Sequence, residues 1–272
     1  MARYDLTGKV VLITGATDGL GRGLAKEVLA VGATVLVHGR SPERIEATVE
    51  ELAGGDRVRS YRADLGSLAE VHAVADAVLE HEPRLDVLVN NAGIGAGGQR
   101  RELSADGHEL RFAVNYLAGF ALTQRLLGLL HSSAPARIVN VSSLGQQAID
   151  FDDVMLERDY SGWRAYCQSK LAQVLFTLEL AAKLQDAGIS VTALHPATFM
   201  PTKMVSSPIS TLEEGVDATL RLVADPALDG VTGRFYDGRR EDRPDPQAAD
   251  PDARRRLWEL SERLTAREQV TT

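Results

Sequence analysis

The sequence predicts an α/β fold, a doubly wound parallel sheet of about seven strands with helices on both faces. Three observations point there. Short apolar runs such as Val10-Val11-Leu12-Ile13 are continuous rather than alternating, as in strands buried on both sides. Helical patterns separate these runs, and strands alternating with helices imply parallel pairing through crossovers. A glycine-rich turn also joins the first strand to the first helix.

The elements follow in order. After Val10–Ile13, the residues Leu20, Leu24 and Val28 share one helix face, and Gly32 ends that helix. Thr34–His38 reads as the second strand. Pro42 opens a helix that runs to Leu52. Val58–Ala63 is a strand, Leu68–Leu79 a helix and Val87–Val89 a strand. Phe112–Leu130 has the length of a long helix, and Arg137–Ser142 is the fifth strand. Tyr166 opens a helix that ends near Leu184. Ser190–Leu194 and Gly233–Tyr236 complete the strands. One domain over 1–272 accounts for this rhythm. Two long loops interrupt it, 145–162 and a proline-bearing stretch within 198–215, and loops of that length are often functional. The second is expected to border a substrate, with Met200 and Met204 facing an apolar pocket. A C-terminal extension, 237–272, carries a short amphipathic helix near Leu257, Trp258, Leu260 and Leu264.

The chain has 272 residues, with 44% hydrophobic and 25% charged, enough for a sizeable core. A net charge of −8 disfavours nucleic acid or an anionic membrane as partner. Cys167 is the only cysteine, so no internal disulfide can form, which fits a reducing cytosol. It is expected to be packed rather than nucleophilic. No apolar leader precedes the first strand and no run approaches a membrane span, so a cytoplasmic protein is expected. The six histidines lack metal-ligand spacing, and the acidic loop around Asp150, Asp152, Asp153 and Glu157 lacks a calcium pattern. No metal is expected.

The turn Thr14-Gly15-Ala16-Thr17-Asp18-Gly19-Leu20-Gly21 lies between strand and helix, where such glycines let backbone approach a pyrophosphate. The second strand ends at His38-Gly39-Arg40. An NAD site would usually place a carboxylate here for the ribose 2′-hydroxyl. Gly39 offers none, and the Arg40 guanidinium can pair with a 2′-phosphate, so NADP(H) is favoured. Two features count the other way: Arg40 can equally be an ordinary surface charge, and Asp18 would repel the extra phosphate. Tyr166 and Lys170, four apart, share a helix face. A nearby ammonium would lower the phenol's pKa and make Tyr166 an acid/base.

The ordered set of motifs resembles the short-chain dehydrogenase/reductase family from about Val10 to Tyr236, a Rossmann-type fold. The glycine turn matches its TGxxxGxG, Asn90-Asn91-Ala92-Gly93 its NNAG, Ser142-Ser143 its serine position, and Tyr166 and Lys170 its YxxxK. Within the family, Arg137–Ser143, Ala165–Ala172 and the wide gap between Ser143 and Tyr166 are most similar to retinol-dehydrogenase-like reductases. The N-terminal anchor of many membrane-bound relatives is not seen, so retinoid activity is not carried over.

The resemblance implies a role for each matching residue. Ser143, with Ser142 the second choice, would stabilise the substrate oxygen, and Tyr166 would be the general acid/base. Lys170 would tune the tyrosine and hold the nicotinamide ribose, and Asn115 would position a relay water. Gly15, Thr17, Asp18, Gly19, Leu20, Gly21, Arg40, Asp64, Leu65, Asn91, Ala92, Gly93 and Pro196 would line the cofactor, with Asp64 taking the adenine amino group. His195-Pro196-Ala197 stands where the family usually has Pro-Gly. Expected partners are a small carbonyl or alcohol substrate and a possible second copy in a dimer or tetramer; Leu122, Leu126 and Leu129 fit such a contact or the core equally. The expected activity is hydride transfer between NADP(H) and a ketone or aldehyde. An NAD-linked alcohol dehydrogenase and a non-catalytic nucleotide sensor are the alternatives.

Overall fold

A computed structural model describes residues 4–198, 200–201 and 209–266. The strands in chain order are β1 (Val10–Ile13), β2 (Thr34–Gly39), β3 (Val58–Arg62), β4 (Val87–Asn90), β5 (Ala136–Val141), β6 (Ile189–His195), β7 (Arg234–Asp237) and β8 (Arg240–Asp242). They form one sheet in the order β3-β2-β1-β4-β5-β6-β7-β8. Pairing is parallel from β3 through β7. The eighth strand corrects the expected seven. It is a three-residue antiparallel return from β7, with Tyr236 opposite Glu241, and it is too short and too charged to carry a hydrophobic signal.

The helices are α1 (Gly19–Ala30), α2 (Pro42–Leu52), α3 (Leu68–His81), α4 (Leu110–Phe112), α5 (Ala118–Ser132), α6 (Gly162–Lys183), α7 (Leu212–Ala224) and α8 (Pro251–Thr265). Alternate strand residues feed two separate cores. Val10 and Leu12 join the cluster under α3, α5, α6 and α8, whereas Val11 and Ile13 join the one under α1 and α7. Burial on both faces is why β1 reads as an unbroken apolar run.

Helix starts follow capping chemistry. Ser41 Oγ accepts from the Arg44 amide, with Pro42 in the first turn of α2. α6 begins four residues before Tyr166, because Ser161 Oγ accepts from the Arg164 amide and caps it there. Tyr166 therefore lies in the second turn, not at the helix opening. The expected single helix from Phe112 is divided by a π-helical turn, Ala113–Leu117.

A buried polar row fixes α5 and α6 on the sheet. Asn90 Nδ2 donates to Thr123 Oγ1 (3.0 Å) and to Asn140 Oδ1 (2.9 Å), and Asn140 Nδ2 donates to Thr177 Oγ1 (2.8 Å). Leu122 and Leu126 are fully buried in the core, which answers the choice left open for them. α8 docks through Trp258, which packs edge-on against Phe120 and stacks on Phe176. Its Ser261 bonds the Tyr116 hydroxyl at 2.7 Å. Phe120→Ala should therefore remove the centre of this aromatic cluster. We expect a loss of about 3–5 kcal/mol, read as a lower urea midpoint at unchanged m-value; a loss under about 1 kcal/mol would mean that α8 does not depend on this contact.

Candidate active site

Strand order reverses between β1 and β4, and the crevice beyond their C-terminal ends is where open α/β sheets bind ligands. The turn after β1 is held there closely. Gly15 adopts φ +66°, and its amide donates to His38 Nδ1 at 3.2 Å. Burial pushes the His38 imidazole down to about 4, so it stays neutral and can accept that bond. Asn91 Nδ2 donates to the Thr14 carbonyl at 2.7 Å, and Thr14 Oγ1 accepts from the Asn91 and Ala92 amides. A Cβ on Gly21 would stand 2.3 Å from the Gly15 carbonyl oxygen and 2.5 Å from Asn91 Nδ2. Only glycine fits, and the start of α1 is thereby brought up to the crevice with its first-turn amides facing it. Leu20 is buried against the core, as is Leu65. Such a cradle of bare backbone at a helix start fits the pyrophosphate of a nicotinamide dinucleotide.

The adenosine end carries more charge than the motif alone shows. Asp18 caps α1 by accepting from the Gly19 amide at 2.9 Å, and its other oxygen meets Arg44 Nη2 at 2.6 Å. Arg44 also donates to the Thr17 carbonyl at 3.4 Å. It was missed because it lies on α2, a full turn beyond Arg40. Arg40 is 75% exposed at the side chain and stands 3.5 Å from Asp64. Asp64 Oδ1 accepts from the Gly66 amide. A Cβ on Gly39 would sit 2.6 Å from Thr17 Cγ2, so no carboxylate can be carried at that position without displacing Thr17.

The candidate proton-transfer groups converge from the end of β5 and from α6. Ser143 Oγ accepts from the Gly145 amide at 3.0 Å, and its hydroxyl is near enough to Tyr166 to favour the ionised phenol. Ser142 is buried and spends its hydroxyl on the Lys170 carbonyl at 2.7 Å, so Ser143 is the serine that faces Tyr166. Lys170 Nζ lies 5.8 Å from the Tyr166 ring centre and donates to the Val141 carbonyl (2.9 Å) and Gln173 Oε1 (3.0 Å). Gln173, buried beside the lysine, was not singled out in the sequence. A Cβ on Gly93 would stand 3.3 Å from Asn115 Oδ1 and 3.5 Å from Lys170 Nζ, so bare backbone separates the two. Asn115 sits in the π turn. Its Oδ1 accepts from the Ile94 amide, and its Nδ2 donates to the Ile94 carbonyl and Ser169 Oγ. Its amide thus braces the loop after β4 against α6. Pro196 follows His195 at the end of β6, and the His195 carbonyl accepts from the Gly238 amide.

The expected lowering of the tyrosine is not what the geometry gives. Burial pushes the Tyr166 phenol upward, and the nearby Ser143 hydroxyl offsets only part of this. The ammonium is turned to Val141 and Gln173 instead, and burial drives Lys170 down to about 8. Tyr166 is therefore a protonated acid at neutral pH, ready to give a proton to an oxygen anion. Cys167 is buried and its thiol is raised to about 11, as a packed cysteine requires.

Met200 is partly buried: its sulfur packs over Gly215, and its side chain lies against the core cluster that holds Leu20. Met204 and Pro208 lie outside the described residues. Among the described residues no group of three metal-ligating side chains is found, and no helix is long and apolar enough to cross a membrane. A groove of about 860 Å³ opens at the opposite end of the sheet, between Lys9, Asp86, Arg137 and Ile189, and shares no residue with the constellation around Tyr166.

Comparison with known proteins gives the same picture. The family model for short chain dehydrogenases matches residues 9–212. Mouse retinol dehydrogenase 13 is 40% identical across 97% of this chain and 85% of its own length. An uncharacterised protein from Mycobacterium paratuberculosis superposes with a TM-score of 0.81 at 33% identity, over 96% of this chain and 95% of that one. The Pseudomonas aeruginosa RhlG/NADP active-site complex does so with a TM-score of 0.73 at 27% identity, over 87% and 97%. With a family match across three quarters of its length and a relative this similar, the chain belongs to the short-chain dehydrogenases, a family of oxidoreductases, and is similar to retinol dehydrogenases.

Proposed function

We propose that this oxidoreductase reduces an aldehyde or ketone with NADPH, the reverse oxidation being chemically allowed. The observation that carries the reading is the meeting of Ser143, Tyr166 and Lys170 at the crevice. When bound, the nicotinamide supplies hydride to the carbonyl carbon. Ser143 holds the carbonyl oxygen and Tyr166 delivers its proton there. Lys170 keeps a positive charge behind the phenol and binds the ribose, and Asn115 holds the Gly93–Ile94 backbone in place around it. Gly15, Thr17, Asp18, Gly19, Leu20, Gly21, Asn91, Ala92, Gly93 and Pro196 line the dinucleotide, with Asp64 and Leu65 at the adenine.

NADP(H) is preferred over NAD(H) because two arginines, Arg40 and Arg44, stand at the adenosine end. Arg44 neutralises Asp18, which removes the main objection to a 2′-phosphate. Arg40 and Arg44 then flank the place where Gly39 leaves no room for a ribose-binding carboxylate. A neighbour named as an NADP complex supports the same choice. The names of the retinol dehydrogenase relatives make retinal and other apolar aldehydes the first substrates to try. The lone, buried Cys167 supports a reducing compartment such as the cytosol.

Three measurements test this reading. Tyr166→Phe should lower kcat by about 10²–10⁴-fold while the NADPH dissociation constant stays the same; retained turnover would remove Tyr166 from the acid role. Arg40→Ala and Arg44→Ala should each weaken NADPH binding by about tenfold or more in calorimetry and leave NADH binding nearly unaltered. Equal losses for both nucleotides would mean that neither arginine reads the phosphate. The third is a pH profile. Reduction needs Tyr166 protonated and Lys170 charged, and both conditions hold at low pH and fail as pH rises. Reductive kcat/KM should be level in the neutral range and fall above about 8, where Lys170 loses its proton. A profile falling toward acid would contradict the assignment.

A further inference from the structure

The chain has two tryptophans, and they are placed in opposite ways. Trp258 is buried and its indole N–H donates to Glu262. Trp163 is 56% exposed, the largest apolar side chain so exposed among the described residues. It lies in the first turn of α6, one turn before Tyr166, and its ring stacks on the phenol with centroids 5.9 Å apart and planes 25° apart. Helix spacing explains why the two rings meet. It does not explain why an indole face is left to water beside the proton-transfer groups.

Gly145 shows how near those groups are. A Cβ there would touch Trp163 Cη2 at 3.4 Å, Ser143 Oγ at 3.5 Å and Cys167 Sγ at 3.6 Å. The six-membered ring of the indole and the Ser143 hydroxyl therefore border the same glycine. Leu144, between Ser143 and Gly145, is a second exposed apolar side chain at 45%. Ring faces attract other flat rings at centroid distances of about 4.5–7 Å, beyond what area alone provides.

We propose that Trp163, flanked by Leu144, is a specificity-determining platform for the flat π face of a substrate whose carbonyl oxygen meets Ser143 and Tyr166. The inference rests on the carbonyl reading above and narrows it. The substrate class is a carbonyl compound with an aromatic or equally flat conjugated group next to the reacting carbon. A saturated ring of similar carbon count is puckered and cannot lie on the indole in the same way.

The test compares 2-naphthaldehyde with decahydronaphthalene-2-carbaldehyde, using NADPH and the full-length protein with Trp163 intact or changed. Trp163→Ala should raise KM for 2-naphthaldehyde about tenfold more than it raises KM for decahydronaphthalene-2-carbaldehyde, with the effect in KM rather than kcat. Trp163→Phe, which keeps a flat ring, should restore most of that ratio. Equal effects on both aldehydes, or no effect, would overturn the platform. A binding arm separates this outcome from failure of the reductase reading. It measures 2-naphthalenemethanol binding to the NADPH-loaded Tyr166→Phe protein, with Trp163 intact or replaced by alanine. If neither aldehyde is reduced but the aryl alcohol binds about tenfold more weakly without Trp163, the platform stands and the reductase reading falls. Binding that ignores Trp163, or no binding at all, overturns the platform itself.

Discussion

Gly21 stands where α1 begins, with the Gly15 carbonyl and the Asn91 amide so near that one methyl group would collide with both. Much else depends on that closeness. The turn after β1 and the turn after β4 can meet only because backbone, not side chain, lies between them. Asn91 and Thr14 then tie the two together. Because β1 and β4 are adjacent while the chain winds away from them in opposite directions, this contact sits where the crevice opens. The same thinness recurs at Gly93, which separates Asn115 from Lys170. The proposed cofactor cradle and proton-transfer groups are thus built around positions where a side chain has been left out.

The buried ammonium sets the second condition. A charge out of water costs free energy unless it is solvated by protein dipoles. Val141 and Gln173 provide two such dipoles for Lys170, from β5 and from the next turn of α6. Their pull, together with the burial of Tyr166, leaves the phenol a weaker acid than spacing alone suggests. A short distance along a helix is not the same as an electrostatic contact. Direction matters too, and the lysine points at the strand rather than at the phenol oxygen.

The order of elements was legible because the central strands β1, β2, β4, β5 and β6 are buried on both faces and several helices, such as α1 and α7, carry one apolar stripe. The glycine turn and the Tyr166–Lys170 pair were legible because they are contiguous. What escaped detection depends on contacts between distant segments or on local capping. Ser161 moves the start of α6 ahead of Tyr166, and a serine before a helix is too common a signal to place an end by itself. The π turn that carries Asn115 leaves no mark on the hydrophobic pattern, because its residues are still mostly apolar. Arg44 answers Asp18 from another helix, and that pairing changes the meaning of an acidic residue that on its own argued against NADP(H). Met200 lies partly buried against the α1 and α7 core, a contact between distant segments that its loop position alone does not signal. β8 was missed for the reverse reason, since its three residues are all charged.

That last strand has a consequence for how the molecule behaves beside its neighbours. An open sheet ends in a row of unpaired backbone groups, a template for any passing strand. Here the final row is Arg240-Glu241-Asp242, exposed throughout, and Arg234 is paired to Glu241 across it. Another chain adding itself there would have to lay its own backbone along alternating full charges and strip water from them. Brevity and charge together turn this edge of the sheet into a stop against the addition of another strand.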